Sequence, residues 1–401
     1  MKKRYLFILM IVLFTANAGG QNDPLLRSGS LMSVGKYDSA AQILSMAIVN
    51  QPGNTDLYYN RGICNFKLKR YDKALGDFLF VNKRSSGKAS LMLAKTEARL
   101  NHPELAVKYL RQHLTSYYKQ SESDLLLDED LQLLEKTDSW KNLWREKEWY
   151  SAYDRELQEI EYLMSNRENL EAINRLNELD GTGFKKTIVN QYLAELYLVS
   201  GNEKAAMDAI NRSIAANGRN TEALKIRIEL NTLAENFEKA AADCDQLLRQ
   251  DPVEFEYYLT SGKLLSKTGK YDQALKRVGT YLELFPGSHN AFNTQGEIHF
   301  ENGQFLDALK SFNKALEEES GNADYFYNRG RTYAATGTYR YAEKDFSMAL
   351  DLDPLNPETW FEKGIADLEL GNEQTACFDF KKAFRYGKYE AKDFIDRLCN
   401  N

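Results

Sequence analysis

Residues 325–354 read YFYNRGRTYAATGTYRYAEKDFSMALDLDP, two helix-compatible halves either side of Gly337 with Pro354 closing the second. This stretch decides the fold because its landmarks return at a single interval. Alanine recurs at Ala172, Ala206, Ala240, Ala274, Ala308, Ala342 and Ala376, each 34 residues after the last, which is the period of a repeated helical hairpin. Gly262, Gly296, Gly330 and Gly364 stand twelve residues before their alanines, and Phe312, Phe346 and Phe380 four residues after theirs. Tyr258, Phe292, Phe326 and Trp360 add a column of large aromatics. Two antiparallel helices joined by a tight turn give each column a reason. Small residues on the facing sides let two backbones approach, and aromatics fill the wider space beside them. Gly201, Gly269, Gly303, Gly337 and Gly371 tolerate the positive φ that ends the first helix. Pro252, Pro286 and Pro354 end the second, because proline cannot continue it.

With these columns in place, the segment resembles the tetratricopeptide-repeat family, whose 34-residue unit carries aromatic, small, alanine, aromatic, alanine and proline residues at the same offsets. The resemblance implies an all-α fold, a right-handed α-solenoid of 34-residue helix-turn-helix repeats. Units beginning near residues 187, 221, 255, 289, 323 and 357 follow without a gap. An earlier unit near 153 has Glu156 at the aromatic position and Ile160 at the glycine position, so looser packing is expected there. Together they make a main run of seven units over 153–386. A shorter run of three units occupies 21–120, where Ala40 and Ala74 keep the period and Tyr58-Tyr59-Asn60-Arg61-Gly62 repeats the pattern of Phe326 to Gly330. Residues 387–401 read as a capping helix, with Phe394, Ile395 and Leu398 on one side and charges on the other.

The two runs are out of frame, so residues 121–152 are not a plain repeat. They hold Glu122, Asp124, Asp128, Glu129 and Asp130, then Trp140, Trp144 and Trp149. The segment reads as a helical junction whose tryptophans seal apolar repeat ends. The alternative is an exposed aromatic platform, which would suit a glycan- or peptidoglycan-binding envelope protein. The carboxylates lack the alternating spacing of a calcium loop and read as helix-start and solvated charge.

Residues 1–18 read as a secretory signal peptide: Lys2, Lys3 and Arg4, an apolar run from Leu6 to Phe14, then Ala16-Asn17-Ala18. Its removal leaves 49 basic and 58 acidic side chains, a net charge of −9. An acidic exported chain is poorly suited to nucleic acid, which needs a basic face. No later segment is apolar enough to span a bilayer. The expected location is the periplasm or envelope of a Gram-negative bacterium, or the extracellular space. Cys64, Cys244, Cys377 and Cys399 lie far apart without metal-ligand spacing and read as buried small apolar residues; Cys377 with Cys399 is the one pairing worth testing.

Catalytic chemistry finds no footing. His102, His113, His289 and His299 form no metal-binding pair and read as scattered surface residues. The stretch Gly181-Thr182-Gly183-Phe184-Lys185-Lys186-Thr187 lacks the order of a phosphate loop and reads as a linker. No enzyme, cofactor or metal is expected. In the family that the chain resembles, the first helices line a concave wall that takes peptides or partner helices. The corresponding positions include Tyr59, Asn60, Phe66, Lys263, Asn293, Glu297, Phe300, Tyr327, Asn328, Arg331, Phe361 and Glu362. Asn60 and Asn328 stand where an asparagine amide in related repeats grips a peptide backbone with donor and acceptor together. The resulting expectation is a protein–protein scaffold or adaptor. Some related repeats clamp a terminal carboxylate with lysine and asparagine four apart, and no unit reads as placing them that way; Lys225 is followed four residues on by Glu229.

Overall fold

The computed structural model describes residues 23–146, 148–179 and 184–399. The expected signal peptide, and the stretch from Gly181 to Gly183, lie outside them. Among the described residues every regular element is helical. First and second helices alternate as α1 (Pro24–Ser33) and α2 (Tyr37–Asn50), α3 (Thr55–Lys67) and α4 (Tyr71–Arg84), α5 (Ser90–Arg99) and α6 (Pro103–Leu114). Short α7 (Glu122–Leu126), a 3-10 turn at Gln132–Leu134 and α8 (Asp138–Glu146) interrupt them. Alternation resumes with α9 (Ala152–Ser165) and α10 (Asn169–Glu178), α11 (Phe184–Val199) and α12 (Glu203–Ala216), α13 (Thr221–Leu233) and α14 (Phe237–Gln250). It continues through α15 (Glu256–Lys267) and α16 (Tyr271–Leu284), α17 (His289–Glu301) and α18 (Phe305–Glu318), α19 (Ala323–Ala335) and α20 (Tyr339–Leu352), α21 (Pro357–Glu369) and α22 (Glu373–Arg385). A last helix, α23 (Ala391–Leu398), follows. The chain divides into two compact units: residues up to Leu230 with Arg249–Val253, and Asn231–Leu248 with Glu254 onward.

Start and stop signals repeat with the same period as the core. Asn220, Ser288, Asn322 and Asn356 each cap a first helix, the side-chain oxygen accepting from a backbone N–H of the first turn. Each hairpin turn has a residue at positive φ, and the fold imposes this even where glycine is missing: Lys69, Asn101, Arg167 and Glu235 stand there at φ 54–65°. Strain of about 1–2 kcal/mol at such a residue is outweighed by the packing of the two helices it joins.

That packing rests on a glycine–phenylalanine pair across the hairpin. Phe78, Phe312, Phe346 and Phe380 are fully buried, each sixteen residues after Gly62, Gly296, Gly330 or Gly364. A Cβ added at Gly330 would stand 2.8 Å from Phe346 Cε1, and at Gly296 2.5 Å from Phe312 Cε1. The Cδ1–Cε1 edge of the ring lies against the bare glycine. Alanine in a helix interior ordinarily gains about 1 kcal/mol over glycine. Here the sign is expected to reverse: Gly330→Ala should lose about 1–3 kcal/mol by overpacking. Chemical denaturation of the variant against wild type measures it, and a gain in midpoint would overturn the close-approach account.

Trp140 and Trp149 are 6% and 9% exposed and share a core with Leu110, Leu114, Leu125, Leu131 and Leu143. The Trp149 indole N–H donates to the Leu143 carbonyl at 2.9 Å, and the Tyr150 hydroxyl donates to the Gln120 carbonyl at 2.8 Å. The tryptophans are therefore a seal over the α5–α6 hairpin, and the aromatic-platform reading fails because two of its three rings are covered. The acidic residues depart from the solvated-charge expectation in part: Asp128 and Asp130 form ion pairs with Lys95 and Arg99 of α5, tying the segment to the hairpin.

Two further expectations need correction. His113 is 2% exposed, not on the surface; its Nε2 accepts from the Gln120 backbone N–H at 3.2 Å, because residues 116–120 fold back over the end of α6. Of the cysteines, Cys64 and Cys244 are buried thiols, pushed up to about 12 by burial, but Cys377 and Cys399 form a disulfide with Cα atoms 5.5 Å apart. It fastens α23 to α22.

Candidate binding cleft

A 34-residue period places equivalent residues of successive first helices side by side, so each column becomes a ladder. In the second unit one ladder runs Lys263, Glu297, Arg331, and a parallel one Lys267, Glu301. Lys263 Nζ lies 3.8 Å from Glu297 Oε2, and Lys267 Nζ 2.8 Å from Glu301 Oε1. The next rung of the first ladder is Ile365, so Arg331 inherits no carboxylate. Its guanidinium lies 4.8 Å from the centre of the Phe300 ring and 5.6 Å from that of Tyr327, and it forms no ion pair among the described residues. A guanidinium stacked this way keeps its N–H edge available as a two-pronged donor.

One turn earlier on α19, Asn328 donates its amide to Asn293 Oδ1 at 3.1 Å and Glu297 Oε1 at 3.3 Å. Asn293 in turn donates to Glu297 Oε1 at 3.0 Å. The network fixes the Asn328 amide, and its oxygen accepts no hydrogen bond from a described residue. Residues 328 and 331 are three apart and share a helix face. A free acceptor and a free cationic donor thus stand together. They line a cleft of about 390 Å³ with Lys263, Ser266, Lys267, Glu297, Phe300 and Glu301. On α21, burial raises the Glu362 carboxyl above the usual carboxylate range, against the pull of Arg331 and Lys388. Burial likewise raises the Tyr327 hydroxyl.

Of the residues singled out from sequence, Lys263, Glu297, Phe300, Asn328 and Arg331 line this cleft, and Tyr327 lies under the Arg331 guanidinium. Asn293 is 5% exposed and serves as a bracket for Asn328. Phe361 is turned toward Phe380 and Phe394 at 5.7 and 5.5 Å, as part of the C-terminal core. Tyr59 and Asn60 belong to the first unit; Tyr59 packs edge-on to Phe78 at 5.8 Å, and burial pushes its hydroxyl up to about 12.

A second column escaped the sequence reading altogether. Arg61 and Arg329 reach sixteen residues ahead and clasp Asp77 and Asp345 through two N–H donors each, at 2.6–3.0 Å. Lys363 bonds Asp379 at the same offset, at 2.9 Å. These pairs join the first and second helices of their hairpins from within. Asp243, Asp345 and Asp379 keep the 34-residue step, so the signal was present in the sequence.

A sequence model of the family described as "Tetratricopeptide repeat" matches residues 27–79 and 259–324. The second segment includes much of the cleft. The chain carries tetratricopeptide repeats in these two segments. Its fold is similar to that of a tetratricopeptide repeat protein from Parabacteroides merdae, with 19% identity and a TM-score of 0.53 over 62% of this chain and 99% of that one. Weaker similarity extends to PilW, a type IV pilus biogenesis factor (19% identity, TM-score 0.44, 49% of this chain and 91% of that one). Cut9–Hcn1 of the APC/C also matches (14% identity, TM-score 0.44, 94% and 90%). No curated protein matches the sequence significantly. Tetratricopeptide repeats in general mediate protein–protein interaction and are typically non-catalytic. No helix among the described residues is long and apolar enough to cross a membrane.

Proposed function

We propose that this chain is a non-catalytic scaffold of the cell envelope that holds an extended segment of a partner protein in the cleft of its second unit. The observation that carries the reading is the couple in the cleft's lining left without a hydrogen-bond or ion-pair partner among the described residues, the Asn328 amide oxygen and the Arg331 guanidinium. An extended backbone presents an N–H and a C=O at each step, and a side-chain carboxylate beside them would meet the Arg331 fork. The partner class is therefore a protein segment bearing an acidic residue. Export of the chain is supported by the pattern of residues 1–18 and by the Cys377–Cys399 disulfide, since such bonds persist in oxidising compartments.

The test is capture from envelope extract by the tagged full chain. Arg331→Ala with Asn328→Ala is expected to lower recovery of the specific partner at least tenfold, corresponding to about 1.4 kcal/mol or more. Tyr59→Ala with Asn60→Ala, in the first unit, should leave it unchanged. Equal recovery by the cleft variant and wild type would refute the cleft as the binding site.

A further inference from the structure

The disulfide that closes α22 on α23 is half-buried at both cysteines, so a dissolved thiol can reach it. What it holds is a helix of eight residues, shorter than helices that persist unaided in water. The remaining attachment is aromatic. Phe394 stacks on Phe380 with ring centres 4.6 Å apart and meets Phe361 edge-on at 5.5 Å, and Ala391, the first residue of α23, is fully buried. Phe394 stands 34 residues after Trp360 and Ile395 34 after Phe361, so α23 is in frame with the first helices and covers α22 as a further repeat would. Its outer side is charged, with Lys392, Asp393, Asp396 and Arg397 exposed. Without α23, the end of the second unit would present Phe361, Ile365, Leu368 and Phe380 to water.

We propose that the Cys377–Cys399 disulfide is a latch over a self-association surface: reduction releases α23, and the uncovered face takes the α23 of a second copy. The occupant follows from the contacts themselves. The face is shaped to Phe394, Ile395 and Leu398, and every copy carries a loose helix that fits it. Exchange of one identical element between chains is a low-cost route to a dimer, and Gly387, at φ +115°, stands in the connection that must swing. The chemistry is thiol–disulfide exchange with a dithiol. One thiolate attacks a sulfur of the bond, forming a mixed disulfide and expelling the other cysteine as thiolate. The second thiol of the reductant displaces the remaining cysteine. The chain gains two electrons and two protons, and the dithiol leaves as its own disulfide.

The test uses the mature full chain, oxidised and after dithiothreitol, at low and high concentration. Hydrogen exchange across 391–398 should accelerate at least tenfold on reduction while α19 is unchanged, and light scattering at high concentration should show a doubled mass. Reoxidation of a concentrated mixture of ordinary and ¹⁵N-labelled chains should yield mixed-isotope peptides bridging Cys377 and Cys399. Phe394→Ala should prevent the mass increase in the reduced chain. Unchanged protection of α23 after reduction would overturn the latch; exposure of α23 with no mixed-isotope bridge and no discrete dimer would overturn the exchange.

Discussion

Replacing Lys363 with methionine is expected to cost the second unit about 3–5 kcal/mol at pH 8, the loss that follows when one partner of a buried charge cluster is removed. Lys363 Nζ bonds Asp367 at 2.8 Å and Asp379 at 2.9 Å, with Glu343 at 3.7 Å. Asp379 is 1% exposed. The single lysine stands among three carboxylates, of which water hardly reaches Asp367 and Asp379. Burial pushes the Asp379 carboxyl up to about 7, opposed by Lys363 and assisted by Asp367. The sign of the pH dependence follows from that direction. A carboxyl whose folded pKa lies above its unfolded value gives stability that is complete below pH 4 and is lost as pH rises through 7. At pH 5 the Asp379 carboxyl is mostly protonated and leaves less charge to compensate, so the Lys363→Met defect should be smaller there than at pH 8. Hydrogen exchange of α21 and α22 at the two pH values reads this directly; an equal loss at both would refute the charge account and leave only packing.

The column also shows why this site is under tension. At the position corresponding to Asp367, α3 and α13 carry Asn65 and Asn231, whose amides donate to Asp77 and Asp243 at 3.3 and 3.1 Å. There the buried aspartate meets a neutral donor. In α21 the same place has an acid, and Lys363 must bridge two carboxylates. Asp367→Asn restores the arrangement seen at Asn65 and Asn231 and should raise stability at pH 8 by about 1 kcal/mol, the equivalent of moving the Asp379 pKa down by roughly one unit.

The repeat frame was legible because its columns are steric necessities: no other side chain fits at Gly330 under Phe346, and the turn at Gly337 needs a positive φ. The cleft was partly legible for the same reason, since Tyr327, Asn328 and Arg331 follow from the frame once the first helix is known. That Arg331 is unpaired could not be read locally, because it depends on Ile365 standing one repeat later. Asn293 read as a groove residue because nothing in its own helix shows that Asn328, 35 residues on, lies over it. The arginine–aspartate pairs have the repeat's period, yet charged residues on amphipathic helices are ordinarily solvated. His113 departs from the surface expectation for another reason: its cover comes from residues 116–120, which continue no helix of the hairpin.

That histidine makes the first unit acid-sensitive. Burial, with Lys95 nearby, pushes the His113 imidazole down to about 4. Its Nε2 accepts from Gln120 N–H, so the fold requires the neutral ring. Because the folded pKa lies below the unfolded one, this contribution is complete above pH 6.5 and disappears as pH falls toward 4. The loss over that interval is about 3 kcal/mol, at 1.36 kcal/mol per unit. Asp379 acts oppositely, so between pH 7 and 4 the first unit should weaken from His113 while the second is relieved. Three of the four tryptophans, Trp140, Trp144 and Trp149, belong to the first unit and Trp360 to the second. In a Trp360→Phe background, emission therefore reports the first unit alone. Its urea midpoint should fall between pH 7 and pH 4.5, and His113→Gln, which keeps an acceptor for Gln120 without a titrating proton, should remove most of that fall. If the glutamine variant shows the same acid slope as wild type, the protonation that opens the unit lies elsewhere, and the carboxylates paired with Lys95 and Arg99 become the groups to titrate.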